Sequence, residues 1–172
     1  MSTPELLYID HNQFLSDVRA LATVLGSDEW QPDFIVGVGR GGLVPAVFLS
    51  HATGIALLSV DHSSKVLTFG DELLIKLAAK TLAGTRLLIV DDINDSGRTL
   101  AYLRHKFLDA GGIAANLRIA VLIDNICSIE RVDYRARSID RAEEPRWFVF
   151  PWEAMAEREE MLVEAAAVHN AG

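Results

Sequence analysis

The chain has 172 residues, half of them apolar, and its 16 basic against 24 acidic side chains leave a formal net charge of −8. That length suits one domain, and an acidic balance without any basic stripe argues against a nucleic-acid surface and for a small-molecule partner. A single cysteine, Cys127, excludes an internal disulfide framework and fits a reducing cytoplasm; no apolar run reaches the ~18 residues of a membrane span, and no signal-peptide pattern opens the chain.

In chain order, residues 11–25 set Phe14, Val18, Leu21, Ala22 and Leu25 on one face at helical spacing, with Asp10 or Asn12 as cap and Gly26 as stop. "DFIVGV" reads as a short buried strand that breaks into "GRGG". "LVPAVFLSHATG" reads as a helix closed by Gly54, and "IALLSV" as a second strand. Residues 61–70 are polar at the start and carry a glycine, which predicts a loop. "ELLIKLAA" is two-sided: propensity favours a helix, whereas Leu73, Ile75 and Leu77 alternate as in a strand. "TRLLIV" is a buried strand, residues 99–110 a helix stopped by Gly111 and Gly112, and "LRIAVLI" a further strand. "WEAMAEREEMLVEAAAVH" is helical in character. Cys127, with no histidine nearby in sequence, is expected as a half-buried small residue.

Nearly all-apolar strands alternating with helices indicate an α/β fold, an open, mostly parallel sheet with helices on both faces. Ligands of such sheets bind beyond the carboxyl ends of the strands. The two unusual turns, "GRGG" and "DDINDSG", both fall there.

The second turn carries chemistry. From Asp95 to Thr99 it runs from strand to helix through Ser96, Gly97 and Arg98, so backbone N–H groups, two hydroxyls and a helix N-terminus form a phosphate cradle. Asp91 and Asp92 at the strand end suit a vicinal diol, and a divalent cation would relieve their repulsion. Phosphate beside a diol describes a ribose 5-phosphate, and Asp95, one turn on, is placed to meet whatever attacks the sugar.

"IVDDINDSGRT" resembles the phosphoribosyl-pyrophosphate (PRPP) signature of the type I phosphoribosyltransferases, a pattern with a chance probability of about one in 10⁵ at average residue usage. "GVGRGGLVPA" is similar to the pyrophosphate loop of bacterial and archaeal xanthine/guanine-type members, in which a cis peptide maps to Gly39–Arg40. "RWFVFPWE" is similar to their purine-binding hood segment, and residues 61–70 fall where the family keeps a mobile loop, from which Ser64 and Lys65 would close over the pyrophosphate. By that alignment "ELLIKLAA" becomes a strand flanking the loop.

The resemblance implies a single domain over residues 1–172. Its core would span about 11–125, its hood the N-terminal residues and about 126–155, and a C-terminal helix about 153–168. It implies transfer of 5-phosphoribosyl from PRPP to a purine base with release of pyrophosphate. Asp95 and Arg40 would be catalytic. Asp91 and Asp92 would hold the ribose, Asp95, Ser96, Gly97, Arg98 and Thr99 the 5′-phosphate, and Gly39, Arg40, Gly41 and Gly42 the pyrophosphate. Trp147, Phe148, Asp124, Asn125 and Glu153 would meet the base. Mg²⁺ would be bound through Asp91, Asp92 and Glu153, directly or through water. Expected partners are PRPP, pyrophosphate, a purine base and its nucleotide, with neither nucleic acid nor membrane, in a cytoplasmic homodimer or homotetramer.

An aspartate at position 95 points to 6-oxopurines. In 6-oxopurine members, however, a lysine that donates to the 6-oxo group follows the strand matching "IAVLID", and this chain has Asp124 and Asn125 there. A 6-amino or other base is therefore the alternative substrate, with Arg118 or Arg131 as possible stand-ins for the lysine. A PRPP-sensing regulator without catalysis is the alternative of another class.

Overall fold

The computed structural model describes residues 4–60 and 70–169. In chain order the elements are β1 (Leu6–Tyr8), α1 (His11–Ser27), β2 (Phe34–Val38), α2 (Gly39–Thr53), β3 (Ala56–Val60) and α3 (Gly70–Leu82). There follow β4 (Leu87–Asn94), α4 (Arg98–Asp109), β5 (Leu117–Asn125), β6 (Tyr134–Ile139), β7 (Trp147–Val149) and α5 (Arg158–His169).

Five strands form one parallel sheet in the order β3-β2-β4-β5-β6, and β1 pairs in parallel with β7 in a separate two-stranded sheet. Burial on both faces explains the apolar strands. On one face Ile35, Leu88, Val90, Ala120 and Leu122 pack against Phe14, Val18, Leu21 and Leu25 of α1 and Ala46 and Leu49 of α2. On the other, Val36, Ile89, Ile119 and Val121 pack against Leu74 and Leu77 of α3 and Leu100, Leu103 and Phe107 of α4. The chain leaves β2 towards β3 and leaves β4 towards β5 in the opposite direction, so the strand order reverses between β2 and β4. At such a reversal the two following helices splay to opposite faces and open a crevice at the carboxyl ends.

Several expectations need correction. "ELLIKLAA" lies in α3, because Leu74, Leu77, Ala78 and Thr81 are buried at i, i+3, i+4 and i+7 while Ile75, needed by the alternating pattern, is 55% exposed. Propensity outweighs the family alignment here. Gly26 lies inside α1, which ends at Ser27, while Asp10 does cap it, accepting from the Gln13 N–H at 2.9 Å. Residues 134–139, assigned to the hood, join the main sheet beside β5. The C-terminal helix is shorter than expected: a 3-10 turn at Pro151–Glu153 precedes α5. Cys127 is exposed, in the turn after β5. The expected mobile loop, with Ser64 and Lys65, lies outside the described residues except for Gly70, which opens α3.

No helix among the described residues is long and apolar enough to cross a membrane. The hood is anchored by β1–β7 pairing and by stacked rings: Trp152 stacks on Phe150 at 4.8 Å and meets Phe14 of α1 edge-on at 5.3 Å.

Candidate active site

The site grows from the carboxyl ends of β2 and β4. β4 runs further than its apolar stretch suggests, through the acidic pair to Asn94, with Asp91 opposite Val121 and Asn94 opposite Asp124. Sheet pairing thus fixes the backbone that carries both carboxylates. The "GRGG" turn lies directly against them. A Cβ on Gly41 would stand 2.2 Å from Asp92 Oδ2, and one on Gly42 would stand 2.2 Å from the Val90 carbonyl oxygen and 2.9 Å from Asp91 Cα. Only glycine permits that approach, so the two turns share one crevice. The expected cis peptide is absent: no cis bond occurs among the described residues, and Gly39 instead relieves the bend with a φ of 53°.

Each turn opens a helix whose N-cap residue makes no side-chain cap bond, Val38 for α2 and Gly97 for α4, although the Arg98 N–H donates to Ser96 Oγ at 3.4 Å. Both present partial positive charge to the crevice. Gly97 takes a φ of 84°, and a Cβ there would collide with Ser128 Oγ and the Glu130 backbone nitrogen. The segment that presses on it is held by Asn94, which donates through Nδ2 to Asp124 Oδ1 at 2.8 Å and to the Glu130 carbonyl at 2.9 Å while accepting from Ser128 Oγ. The β5–β6 connection therefore buttresses the turn, leaving Ser96, Arg98 and Thr99 exposed above it.

Electrostatically the acidic pair is unsettled. Asp91 is 8% exposed, and among the described residues no cationic side chain pairs with it or with Asp92. Burial, reinforced by the charge of Asp92, holds the Asp91 carboxyl well above the ordinary carboxylate range. Burial, followed by the charge of Glu153, pushes Asp92 up to about 7. Glu153 is itself raised by burial and by Glu164, with Arg40 opposing, so hood and glycine turn meet at Asp92. One Glu153 oxygen accepts from the Phe150 N–H at 2.8 Å.

No cluster of three metal-ligating side chains exists among the described residues, so the expected set of Asp91, Asp92 and Glu153 is not a preformed cage. Two adjacent, mutually repelling carboxylates do fit Mg²⁺, which commonly binds through one or two carboxylates, substrate phosphates and water.

Asp95 stands apart from that pair. Arg141 grips it with two hydrogen bonds, Nε to Oδ1 and Nη2 to Oδ2, each 2.8 Å. The same guanidinium donates through Nη1 to the Glu144 and Arg146 carbonyls and lies 5.0 Å above the Phe148 ring. Sequence reasoning missed Arg141, whose only signal is one arginine among several in an acid-interleaved segment. The other proposed base contacts divide. Trp147 is half-buried in β7 and Phe148 buried beneath Arg141, but Asp124 is committed to Asn94, and Asn125 donates to the Asp95 carbonyl and accepts from the Cys127 N–H. Arg118 sits at the amino end of β5, bonded to Asp28 and Tyr134 and stacked on Trp30, the wrong end of the sheet to replace a lysine. Arg131 is exposed, donating to the Ile126 carbonyl. A surface depression of about 670 Å³ between Asp33, Ala56 and Gly84 is likewise at the amino ends and remote from the acidic pair.

Two helix starts and a carboxylate pair meet at a strand-order reversal, the place where open α/β sheets bind their ligands. Residues 8–158 match the phosphoribosyl transferase domain, and the chain belongs to that family as a type I member. A purine phosphoribosyltransferase from Pyrococcus horikoshii is 31% identical, covering 86% of this chain and 94% of its own, with a TM-score of 0.65. Two further structures share the fold: a hypothetical protein from Neisseria gonorrhoeae with bound ppGpp, and a xanthine-guanine-hypoxanthine phosphoribosyltransferase from Helicobacter pylori. The first is 18% identical over 97% of this chain and 99% of its own, with a TM-score of 0.71. The second is 20% identical over 87% and 93%, with a TM-score of 0.63.

Proposed function

We propose that this phosphoribosyltransferase family enzyme transfers 5-phosphoribosyl from PRPP to a 6-oxopurine in cytoplasmic purine salvage, as a homodimer or homotetramer. The observation that supports the reading is the close approach of the Gly41–Gly42 backbone to Asp91 and Asp92, the two turns assigned here to pyrophosphate and to the ribose diol. The purine relative from Pyrococcus horikoshii supports the class of base.

In this reading Asp91 and Asp92 accept hydrogen bonds from the ribose hydroxyls, and the N–H groups and hydroxyls of residues 96–99 hold the 5′-phosphate. As the C1′–O bond breaks, its electron pair leaves with pyrophosphate. The N–H groups of Arg40, Gly41 and Gly42 and the Arg40 guanidinium would stabilise that growing charge, and removing one such donor typically costs about 10²–10³ in rate. One imidazole nitrogen of the base then bonds C1′, and the proton on the other, N7, passes to Asp95. Mg²⁺ at Asp91 and Asp92 would neutralise the polyphosphate. Trp147 and Phe148 would flank the base, and Glu153 would meet the metal through water.

The alternative of a 6-amino base rested on Asp124 and Asn125, whose engagement with Asn94, Asp95 and Cys127 weighs against it. The deciding experiment is pyrophosphate release from PRPP and Mg²⁺ over a panel of bases. Turnover on guanine, xanthine or hypoxanthine is expected. Turnover on adenine alone, or PRPP binding without turnover on any base, would overturn the reading.

A further inference from the structure

Asp95 was expected as a lone proton acceptor, and it is half of a pair. Four of the five Arg141 N–H groups have acceptors among the described residues: one on each Asp95 oxygen and one on each of the Glu144 and Arg146 carbonyls. The fifth, the second hydrogen on Nη2, is left. A carboxylate offers about four lone-pair positions, so two bonds from Arg141 leave Asp95 able to accept more. Among the described residues the pair therefore keeps an unused acceptor position on Oδ2 beside an unused donor on Nη2, the two atoms 2.8 Å apart. The surroundings keep the donor in place, because the guanidinium is pinned at both ends of its fork and seated over Phe148.

We propose that Arg141 is the specificity-determining residue of this site, using its remaining Nη2–H to read the exocyclic group next to the ring nitrogen that faces Asp95. A 6-oxopurine carries its oxygen and its N7 on one edge. With N7 protonated, that edge is a donor beside an acceptor, the complement of the Asp95–Arg141 pair. A 6-amino base presents a donor instead, and arginine has no acceptor with which to meet it. Arg141 supplies from the hood the donor that the end of β5 lacks. The inference rests on the purine reading above and adds the residue that selects the oxo group.

The test is the steady-state kinetics of the full chain with PRPP and Mg²⁺, using guanine, hypoxanthine and adenine, for the native protein, Arg141→Ala and Arg141→Lys. In Arg141→Ala, kcat/KM for the oxo bases should fall about 10- to 100-fold, the scale of one hydrogen bond from a charged donor. Loss of the Asp95 clamp acts on every base, so the adenine value should also fall, but by less: the oxo/amino ratio should narrow by about tenfold while the KM for PRPP stays within threefold. Arg141→Lys keeps one charged donor and should retain part of the guanine preference, so it reports on selectivity even if the alanine variant fails to fold. Equal losses for all three bases, a preference untouched in both variants, or a parallel rise in the PRPP KM would overturn the role of Arg141 while leaving the purine reading intact. Absence of oxopurine turnover by the native protein would instead remove the purine reading itself.

Discussion

Replacing Asp92 with asparagine should stabilise the ligand-free protein. Its carboxyl lies at about 7 in the fold against 3.8 in an ordinary setting. Below the lower value both folded and unfolded chains hold the proton and the site costs nothing. Between the two values the folded protein retains a proton that the unfolded chain has lost, so stability falls as pH rises, and above about 7 the full penalty applies. At about 1.4 kcal/mol per unit the ceiling is about 4 kcal/mol. Asp92 keeps contact with solvent and shares its repulsion with Asp91, so about 1–2 kcal/mol is the expected gain at pH 8. For a chain of this size that is about 2–8 °C in Tm. Asparagine is close in shape, and its carbonyl can still accept from the Ile93 N–H, which donates to Asp92 at 2.7 Å. Thermal melts of native protein and Asp92→Asn at pH 4.5 and pH 8 provide the measurement. The variant should melt higher at pH 8, with the gap at least halved at pH 4.5, and it should bind PRPP more weakly. An equal or lower Tm at pH 8, or a gap unaffected by acid, would refute the electrostatic account.

The two glycines facing the acidic pair should behave differently. Gly42→Ala drives a Cβ into the Val90 carbonyl, which the sheet holds, and should lower the Tm by several degrees; Gly41→Ala meets only the Asp92 side chain, so melting should change little while PRPP affinity, followed by calorimetry, falls. Asp95→Asn should reduce kcat at least 10²-fold with the KM for PRPP within threefold, and comparable losses in both would contradict proton transfer to this residue. Asp17, 2% exposed on α1, receives Arg137 of β6 at 3.0 Å and Gln13 at 2.8 Å. Asp17→Ala leaves the half-buried Arg137 guanidinium without its carboxylate and should cost about 1–3 kcal/mol in urea unfolding, whereas a loss below about 0.5 kcal/mol would mean that the pair contributes nothing to stability.

Legibility followed burial. Strands covered on both faces leave uninterrupted apolar runs, and turns that press on a neighbour must be glycine, so β2, β4, β5 and both site turns could be read from residues alone. β6 could not, because "YRARSI" lies on a sheet edge and its charges have uses seen only in three dimensions, such as Arg137 reaching Asp17. β1 and β7 have three residues each and mean little apart. Arg141 was hidden because its acceptors, Asp95 and two carbonyls, are chosen by tertiary approach and not by spacing. Asp124 looked available beyond its strand, but β5 extends to Asn125 and draws it inside. The helix α3 shows the reverse failure, where a correct local signal was set aside for an alignment.

The pairing of Leu6 with Trp147 has a consequence for biogenesis. A nascent chain makes β1 about 140 residues before its mate β7, and closing so long a loop carries a substantial entropic cost. The crevice between the two glycine turns, built from residues 39–99 and braced by the β5–β6 connection, closes over shorter loops. Assembly should therefore proceed from crevice to roof, with the surface proposed to meet the base being the last to mature and the first to open under stress.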